Sequence, residues 1–259
     1  MDGTFLREDH QIGAETQAWV KRLSDRGIPV IPVSARPLHG MLPITRSVLP
    51  DHLPIVSLNG GYIYHQNNII RRLHLTEETA ARVADLFLRE PVSPMYYTDM
   101  EWHAHELDAA VLKEQKITPT PVQLESIDSA KQRSQEQQHG PNKILLAGSP
   151  DIIESLEQTL KHQFGGALHV SRSQSRYVEI MPAAATKKEA IEFLLPQLQV
   201  QPEEIIAFGD NYNDVDMIRF AGLGVAMGNA PEPVKAVADE VTSSNNEEGI
   251  ARVLERIFG

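Results

Sequence analysis

The spacing of hydrophobic and polar residues changes twice along this chain. In residues 1–75, short apolar runs alternate with segments of helical spacing. Residues 15–26 carry apolar positions at helical intervals and end before Gly27, which predicts a helix. Residues 28–33 and 54–58 are apolar runs of strand length. Strands that alternate with helices predict a parallel sheet covered by helices on both faces.

The middle of the chain, residues 76–181, has a different pattern. A helix is predicted to begin at Thr76, and a second one starts with Ser149-Pro150. Five short strands are predicted, at residues 95–98, 102–105, 143–147, 168–171 and 177–181. Residues 113–138 are polar and are interpreted as a solvated loop or an exposed helix. We expect an inserted α+β domain here.

The alternating pattern returns at Thr186, which forms a predicted capping box with Glu189. The predicted elements that follow are strands at residues 205–209 and 223–226 and helices at 214–220, 231–238 and 247–258. The sequence therefore predicts an α/β protein. Its core, residues 1–75 and 182–259, is a Rossmann-like, doubly wound parallel sheet, and residues 76–181 form the α+β insertion.

The amino-acid composition limits the kinds of molecule that the protein is expected to bind. The 35 acidic and 24 basic residues give a net charge of −11, which disfavours binding to the phosphate backbone of nucleic acids. The chain has no cysteine, so thiolate catalysis and disulfides are excluded. No apolar run approaches the roughly 18 residues of a membrane helix, and charged residues near Met1 disfavour a signal peptide. We expect a cytoplasmic protein without nucleic-acid or membrane partners.

The strongest chemical signal follows the predicted strand at residues 205–209. Asp210, Asn213 and Asp214 stand within five residues at the end of that strand, where open α/β sheets bind ligands. Two carboxylates and an amide suit a hard cation such as Mg²⁺. An EF-hand loop is excluded, because Val215 occupies the position that requires glycine. A helix cap without a metal is the remaining alternative.

Three weaker signals precede this loop. Asp2-Gly3-Thr4 is also a common turn sequence. Ser34 follows a predicted strand, where its hydroxyl could hold a phosphoryl oxygen or simply belong to a loop. Lys187 lies in the first turn of a predicted helix, where anions bind favourably, so its ammonium could hold a phosphate. The simpler interpretation is an exposed lysine at the start of a helix. The sequence alone does not distinguish Lys187 from Lys188 for this role.

In this order, Asp2-Gly3-Thr4, Ser34, Lys187 and the loop at residues 209–214 resemble the four motifs of the haloacid dehalogenase superfamily. The resemblance is closest to its Cof-type branch, which carries a large α/β cap between the second and third motifs. It extends to Asn59-Gly60-Gly61, similar to a turn after the third core strand. It implies Mg²⁺-dependent hydrolysis of small phosphomonoesters, such as sugar phosphates, through an aspartyl-phosphate.

The resemblance also assigns roles to individual residues. Asp2 would be the catalytic acid and base, and its backbone carbonyl would bind the metal. The metal set would be Asp2, Asp210 and Asp214, and the phosphate or substrate set would be Ser34, Asn59, Lys187 and Asn213. The attacking aspartate would stand one residue before Met1, so activity is expected to depend on residues upstream. A non-catalytic phospholigand-binding protein and a sugar phosphomutase remain open, and the sequence does not predict the oligomeric state.

Overall fold

The computed structural model describes residues 1–118 and 120–259. Its α-helices are α1 (Ala14–Asp25), α2 (Leu38–Thr45), α3 (Glu77–Phe87), α4 (Ala109–Ile117), α5 (Ile127–Gln137), α6 (Pro150–Phe164), α7 (Lys187–Leu198), α8 (Val215–Phe220), α9 (Glu232–Lys235) and α10 (Gly249–Phe258). Its strands are β1 (Ile55–Ser57), β2 (Tyr62–His65), β3 (Asn68–Arg72), β4 (Ser93–Thr98), β5 (Glu101–Ala104), β6 (Gln123–Leu124), β7 (Lys143–Ala147), β8 (Leu168–Gln174), β9 (Tyr177–Pro182), β10 (Ile206–Gly209), β11 (Leu223–Ala226) and β12 (Glu240–Val241). None of the helices in these ranges is long and apolar enough to cross a bilayer.

The strands form three sheets in the described ranges. β10, β11 and β12 are parallel neighbours, and β1, β2 and β3 form an antiparallel meander. The third sheet has six strands in the order β6-β5-β4-β7-β9-β8. Parallel strands with connecting helices in the C-terminal part of the chain, a parallel bridge between Val33 and Val56 near its start, and a separate mixed sheet in the middle agree with the predicted α/β fold carrying an α+β insertion.

The core is covered by helices on two sides. α1 and α10 pack together against Phe208 and Met227, and α7 packs against Val56 on another side of the strands. α8 lies against Ala226 and contacts α7. Thr186 caps α7 and forms one half of the predicted capping box, because its hydroxyl accepts a hydrogen bond from the Glu189 N–H at 3.2 Å.

The prediction of a strand at residues 28–33 is wrong. The structure forms a single parallel bridge there, between Val33 and Val56. Pro29 and Pro32 have no N–H to give to a ladder, so this segment cannot donate continuously. Within the described ranges no strand lies beside it on the side away from β1, which leaves the parallel sheet in separate pieces.

The six-stranded sheet has two different faces. One face holds a large apolar cluster under α3, α5 and α6, with Tyr96 and Ile144 among its members. The other carries Tyr97 and Trp102 beneath α4. Residues 113–138, expected to be a solvated loop or an exposed helix, form the second half of α4, β6 and α5, with residue 119 outside the described ranges.

Hydrogen bonds hold the inserted domain to the end of the first core segment near residue 75. The N–H of Gly140 donates to the carbonyl of Leu75 at 2.7 Å, and the N–H of Leu75 donates to that of Pro141 at 2.9 Å. Asn142 adds a side-chain bond to the Leu73 carbonyl at 2.8 Å. The crossing point thus lies near residue 75, where the sequence places a domain boundary; the boundaries themselves stay a prediction.

Candidate active site

The acidic loop after β10 is organised around Asp214. This carboxylate is buried, and its Oδ2 accepts from the N–H groups of Asp210 at 3.1 Å and Asn211 at 3.0 Å. The ammonium of Lys187 donates to Oδ1. Burial alone would raise the pKa of Asp214, but the Lys187 charge and hydrogen bond hold it below its ordinary value. Asp214 therefore fixes the loop and the lysine in one geometry.

The α7 helix turns Lys187 and Lys188 in different directions. Lys187 is buried at the start of α7 and faces Asp214. Lys188 points to the surface, where its ammonium pairs with Glu192 at 2.7 Å along the same helix. The structure therefore brings Lys187, and not Lys188, to the acidic loop.

Asp210 meets the beginning of the chain. The hydroxyl of Thr4 donates to its Oδ1. Gly3 has a φ of +70° and lies so close that a Cβ there would overlap the Asp210 carboxylate, so any other residue would be strained. Burial, and then the nearby charge of Asp214, raise the pKa of Asp210. A cation at this carboxylate would offset both effects.

The Asp2-Gly3-Thr4 turn is held from behind by two asparagines. The Asn229 amide donates to the Gly3 carbonyl at 2.8 Å, and its own oxygen accepts from the Asn245 N–H at 3.1 Å. The Asn245 amide donates to the Leu6 carbonyl at 2.7 Å. The sequence predicted no role for these two side chains, although Asn229 lies in a turn that resembles the family's, because their contacts are more than 200 residues away along the chain.

The Ser34 loop reaches the same turn through Arg36. Ser34 is buried, and its hydroxyl accepts from the Arg36 N–H at 3.1 Å. The Arg36 guanidinium holds both oxygens of Asp2, with Nε 2.7 Å from Oδ2. Burial works in the opposite direction, yet the hydrogen bond and charge of Arg36 lower the pKa of Asp2. Sequence reasoning missed Arg36, although a cation two residues after Ser34 was a readable signal.

Asn59 connects the Ser34 loop with the acidic loop. Its N–H donates to the Ser34 carbonyl at 2.9 Å, and its side-chain oxygen accepts from the Asn213 amide at 3.0 Å. Asn59 has a φ of +52°, a left-handed conformation that asparagine tolerates better than most residues. The predicted residues from all four motifs and the Asn59 turn thus lie in one network of hydrogen bonds.

The nitrogen of Met1 lies close to the charged residues of this site. It is buried near Lys187, Asp214, Asp2 and Asp210. Burial, and then the Lys187 charge, lower the pKa of this amino group. A residue joined to that nitrogen would therefore be placed among the candidate site residues.

The side chains fit a hard cation with few protein ligands. In residues 1–118 and 120–259, no group of three or more histidine, aspartate and glutamate side chains is arranged to hold a metal. Asp210 is the carboxylate that gains most from a cation, while both oxygens of Asp214 are already engaged. Mg²⁺ commonly takes one or two carboxylates and fills its remaining positions with water and substrate phosphate.

A family model described as haloacid dehalogenase-like hydrolase matches residues 1–254. The chain belongs to this family. A Haemophilus influenzae protein named "Putative phosphatase" is 35% identical over 99% of this chain and 95% of its own length. A Bacillus subtilis 5-amino-6-(5-phospho-D-ribitylamino)uracil phosphatase is 26% identical over 100% of this chain and 95% of its own.

Solved structures are similar to this chain over nearly its whole length. A haloacid dehalogenase-like hydrolase from Bacteroides thetaiotaomicron has a TM-score of 0.87 and 30% identity, covering 99% of this chain and 97% of its own. TM0651 from Thermotoga maritima has a TM-score of 0.86 and 28% identity, covering 100% and 95%. The predicted family, fold and hydrolase class are confirmed, and phosphatase activity is supported by the named relatives. The roles of individual site residues and the metal stay predictions.

Proposed function

We propose that this protein hydrolyses small phosphomonoesters, such as sugar phosphates, with Mg²⁺ and through an aspartyl-phosphate. The observation that carries the proposal is the closure of the Asp2-Gly3-Thr4 turn on Asp210. It joins two segments that the family pattern requires to meet. The arrangement also supplies cationic and amide donors beside carboxylates, as phosphoryl transfer needs.

Asp2 is the proposed acid and base. Its pairing with Arg36 favours the ionised form, which is the form that accepts a proton from water in the second step. In the first step it would donate a proton to the leaving oxygen, and Arg36 would have to release it to be protonated. Arg36 thus tunes the proposed proton transfer.

The remaining residues have binding roles in the proposal. Ser34, Asn59, Lys187 and Asn213 would contact the phosphoryl group or order the loops around it. Asp210 and the Asp2 carbonyl would bind Mg²⁺, with Asp214 beside them as a ligand or as the partner of Lys187. When bound, the ion would neutralise phosphoryl charge.

The attacking carboxylate is tested by extending the chain at the Met1 nitrogen. The chain is extended by an apolar strand that ends in Asp, and the matched control ends in Asn. We expect Mg²⁺-dependent hydrolysis of p-nitrophenyl phosphate by the Asp form and a rate at least about a hundredfold lower in the Asn form. Equal rates in the two forms would rule out a covalent intermediate at this position.

A phospholigand-binding protein is the second candidate. One observation favours it: three carboxylates of the site already have hydrogen-bond partners in the protein. Asp2 accepts from Arg36, Asp210 from Thr4 and Asp214 from Lys187. If the Asp-extended form binds inorganic phosphate in calorimetry but turns over nothing on a broad panel, this candidate replaces the first. Turnover only in the presence of a sugar bisphosphate would instead indicate a phosphomutase.

A further inference from the structure

Two buried charges of the inserted sheet face the core. Lys143 on β7 and Glu179 on β9 lie in neighbouring antiparallel strands and are 3% and 6% exposed. Their ammonium and carboxylate are 3.9 Å apart. The Lys143 ammonium also lies 4.5 Å from the centre of the Tyr97 ring. Charges of this kind are costly to bury, so their contacts need an explanation.

Both charges contact loops of the candidate site. The Lys143 ammonium donates to the Ala35 carbonyl, next to Ser34, at 3.3 Å. The Glu179 carboxylate accepts from the Asn59 amide nitrogen at 3.4 Å. The insertion therefore contacts the core at two loops where the phosphoryl group is proposed to bind.

The contact of Glu179 has a consequence for the direction of two amides. The Glu179 carboxylate oxygen accepts here, so the Asn59 amide turns its nitrogen toward Glu179. The Asn59 oxygen then faces Asn213 and accepts from the Asn213 nitrogen at 3.0 Å. This in turn fixes the Asn213 oxygen, which is buried and has no hydrogen-bond partner among the described residues. Asn213 directly precedes Asp214 in the acidic loop.

We propose that Glu179 is a positioning residue that sets the orientation of the Asn59 and Asn213 amides from the inserted domain. The site is then fully ordered only when the inserted sheet lies against the core. The inference rests on the proposed function for its catalytic meaning. The order of the amides themselves follows from the contacts alone.

The decisive measurement uses the chain as it is. We would record the side-chain amide signals of Asn59 and Asn213 in ¹H–¹⁵N NMR spectra, assigned by replacing each asparagine in turn. Glu179→Ala is expected to shift both pairs of signals, although Asn213 does not hydrogen-bond to Glu179. Glu179→Gln keeps an acceptor oxygen, so the Asn213 pair should stay close to its original position.

The matched control is Glu157→Ala. Glu157 is another buried carboxylate of the inserted domain, paired with Lys161 and Arg172, away from the Asn59 turn. Its removal should leave both asparagine signals unchanged. An Asn213 pair that stays in place in Glu179→Ala, or that moves equally in Glu157→Ala, would overturn the proposal.

Kinetics separate this inference from the proposed function. In the Asp-extended protein, Glu179→Ala should lower kcat about tenfold and raise the half-saturating Mg²⁺ concentration, while Glu179→Gln stays within about threefold. If Gln and Ala are equally impaired, the ion pair with Lys143 is what matters, and the positioning role is wrong. If no variant or parent turns over, the proposed function fails while the amide measurement still decides this proposal.

Discussion

At the residue scale, the site shows which residue positions can be predicted from a motif in the linear sequence. Asp2, Ser34, Lys187 and Asp210 were predicted because each stands at a fixed place in an ordered pattern, and the structure brings them together. Glu179 lies in a segment that resembles the family's return strand before Lys187, but no role was predicted for it, and its contact with Asn59 spans 120 residues along the chain. Side chains whose role depends on partners across the fold cannot be read from local sequence.

The two adjacent lysines provide a direct test at this scale. Lys187→Met would leave the buried Asp214 carboxylate without its cation, and should lower the free energy of unfolding by about 3–5 kcal/mol. Lys188→Met removes a solvent-screened pair with Glu192 on the surface and should leave the free energy of unfolding nearly unchanged. Urea denaturation at pH 7 measures both. Similar losses in the two variants would contradict the burial of Lys187.

At the element scale, most helices were predictable because their apolar spacing and end signals agree. α6 begins at Pro150 and α7 at Lys187, after the capping Thr186, as the sequence indicated. The segment at residues 28–33 was mispredicted, since apolar content alone does not provide N–H donors at Pro29 and Pro32. The β3 strand was missed because its exposed, mixed sequence resembles a loop.

The contact between the Asn59 turn and α7 can be tested at Gly60. Gly60 has a φ of +99°, and a Cβ there would overlap the Thr186 carbonyl at the start of α7. Gly60→Ala should therefore lower the free energy of unfolding by about 3 kcal/mol. Gly166→Ala is the control, because a Cβ at Gly166 meets nothing within 4 Å. Thermal unfolding followed by circular dichroism compares them, and equal midpoints would show that the turn is not tightly packed.

At the scale of the whole molecule, the sequence predicted the α/β core with its insertion, because the period of the apolar pattern changes at both junctions. It did not predict how the insertion meets the core. That depends on Lys143 and Glu179, which lie in predicted strands but for which the sequence predicted no role. Stability and site order are therefore linked through contacts between the two parts.

Mg²⁺ should stabilise the whole fold through Asp210. Ion binding relieves the buried charge near Asp214, so Mg²⁺ at 100 times its dissociation constant should add about 2.7 kcal/mol to the free energy of unfolding. Differential scanning calorimetry with and without Mg²⁺ measures the gain. Asp210→Asn should abolish it, whereas Asp25→Asn, at an exposed pair with Lys21, should keep it. A gain that survives in Asp210→Asn would place the ion elsewhere.

The hydrogen bond between Thr4 and Asp210 joins residues 206 positions apart. During synthesis on the ribosome, the six-stranded sheet has all of its strands once residue 182 has emerged, whereas the Thr4 hydroxyl still lacks its acceptor. Contacts of such high sequence separation form late and slowly. We therefore expect the strands of the inserted sheet to be complete before the candidate site can form, so that a polypeptide released before residue 210 would lack the acceptor for the Thr4 hydroxyl.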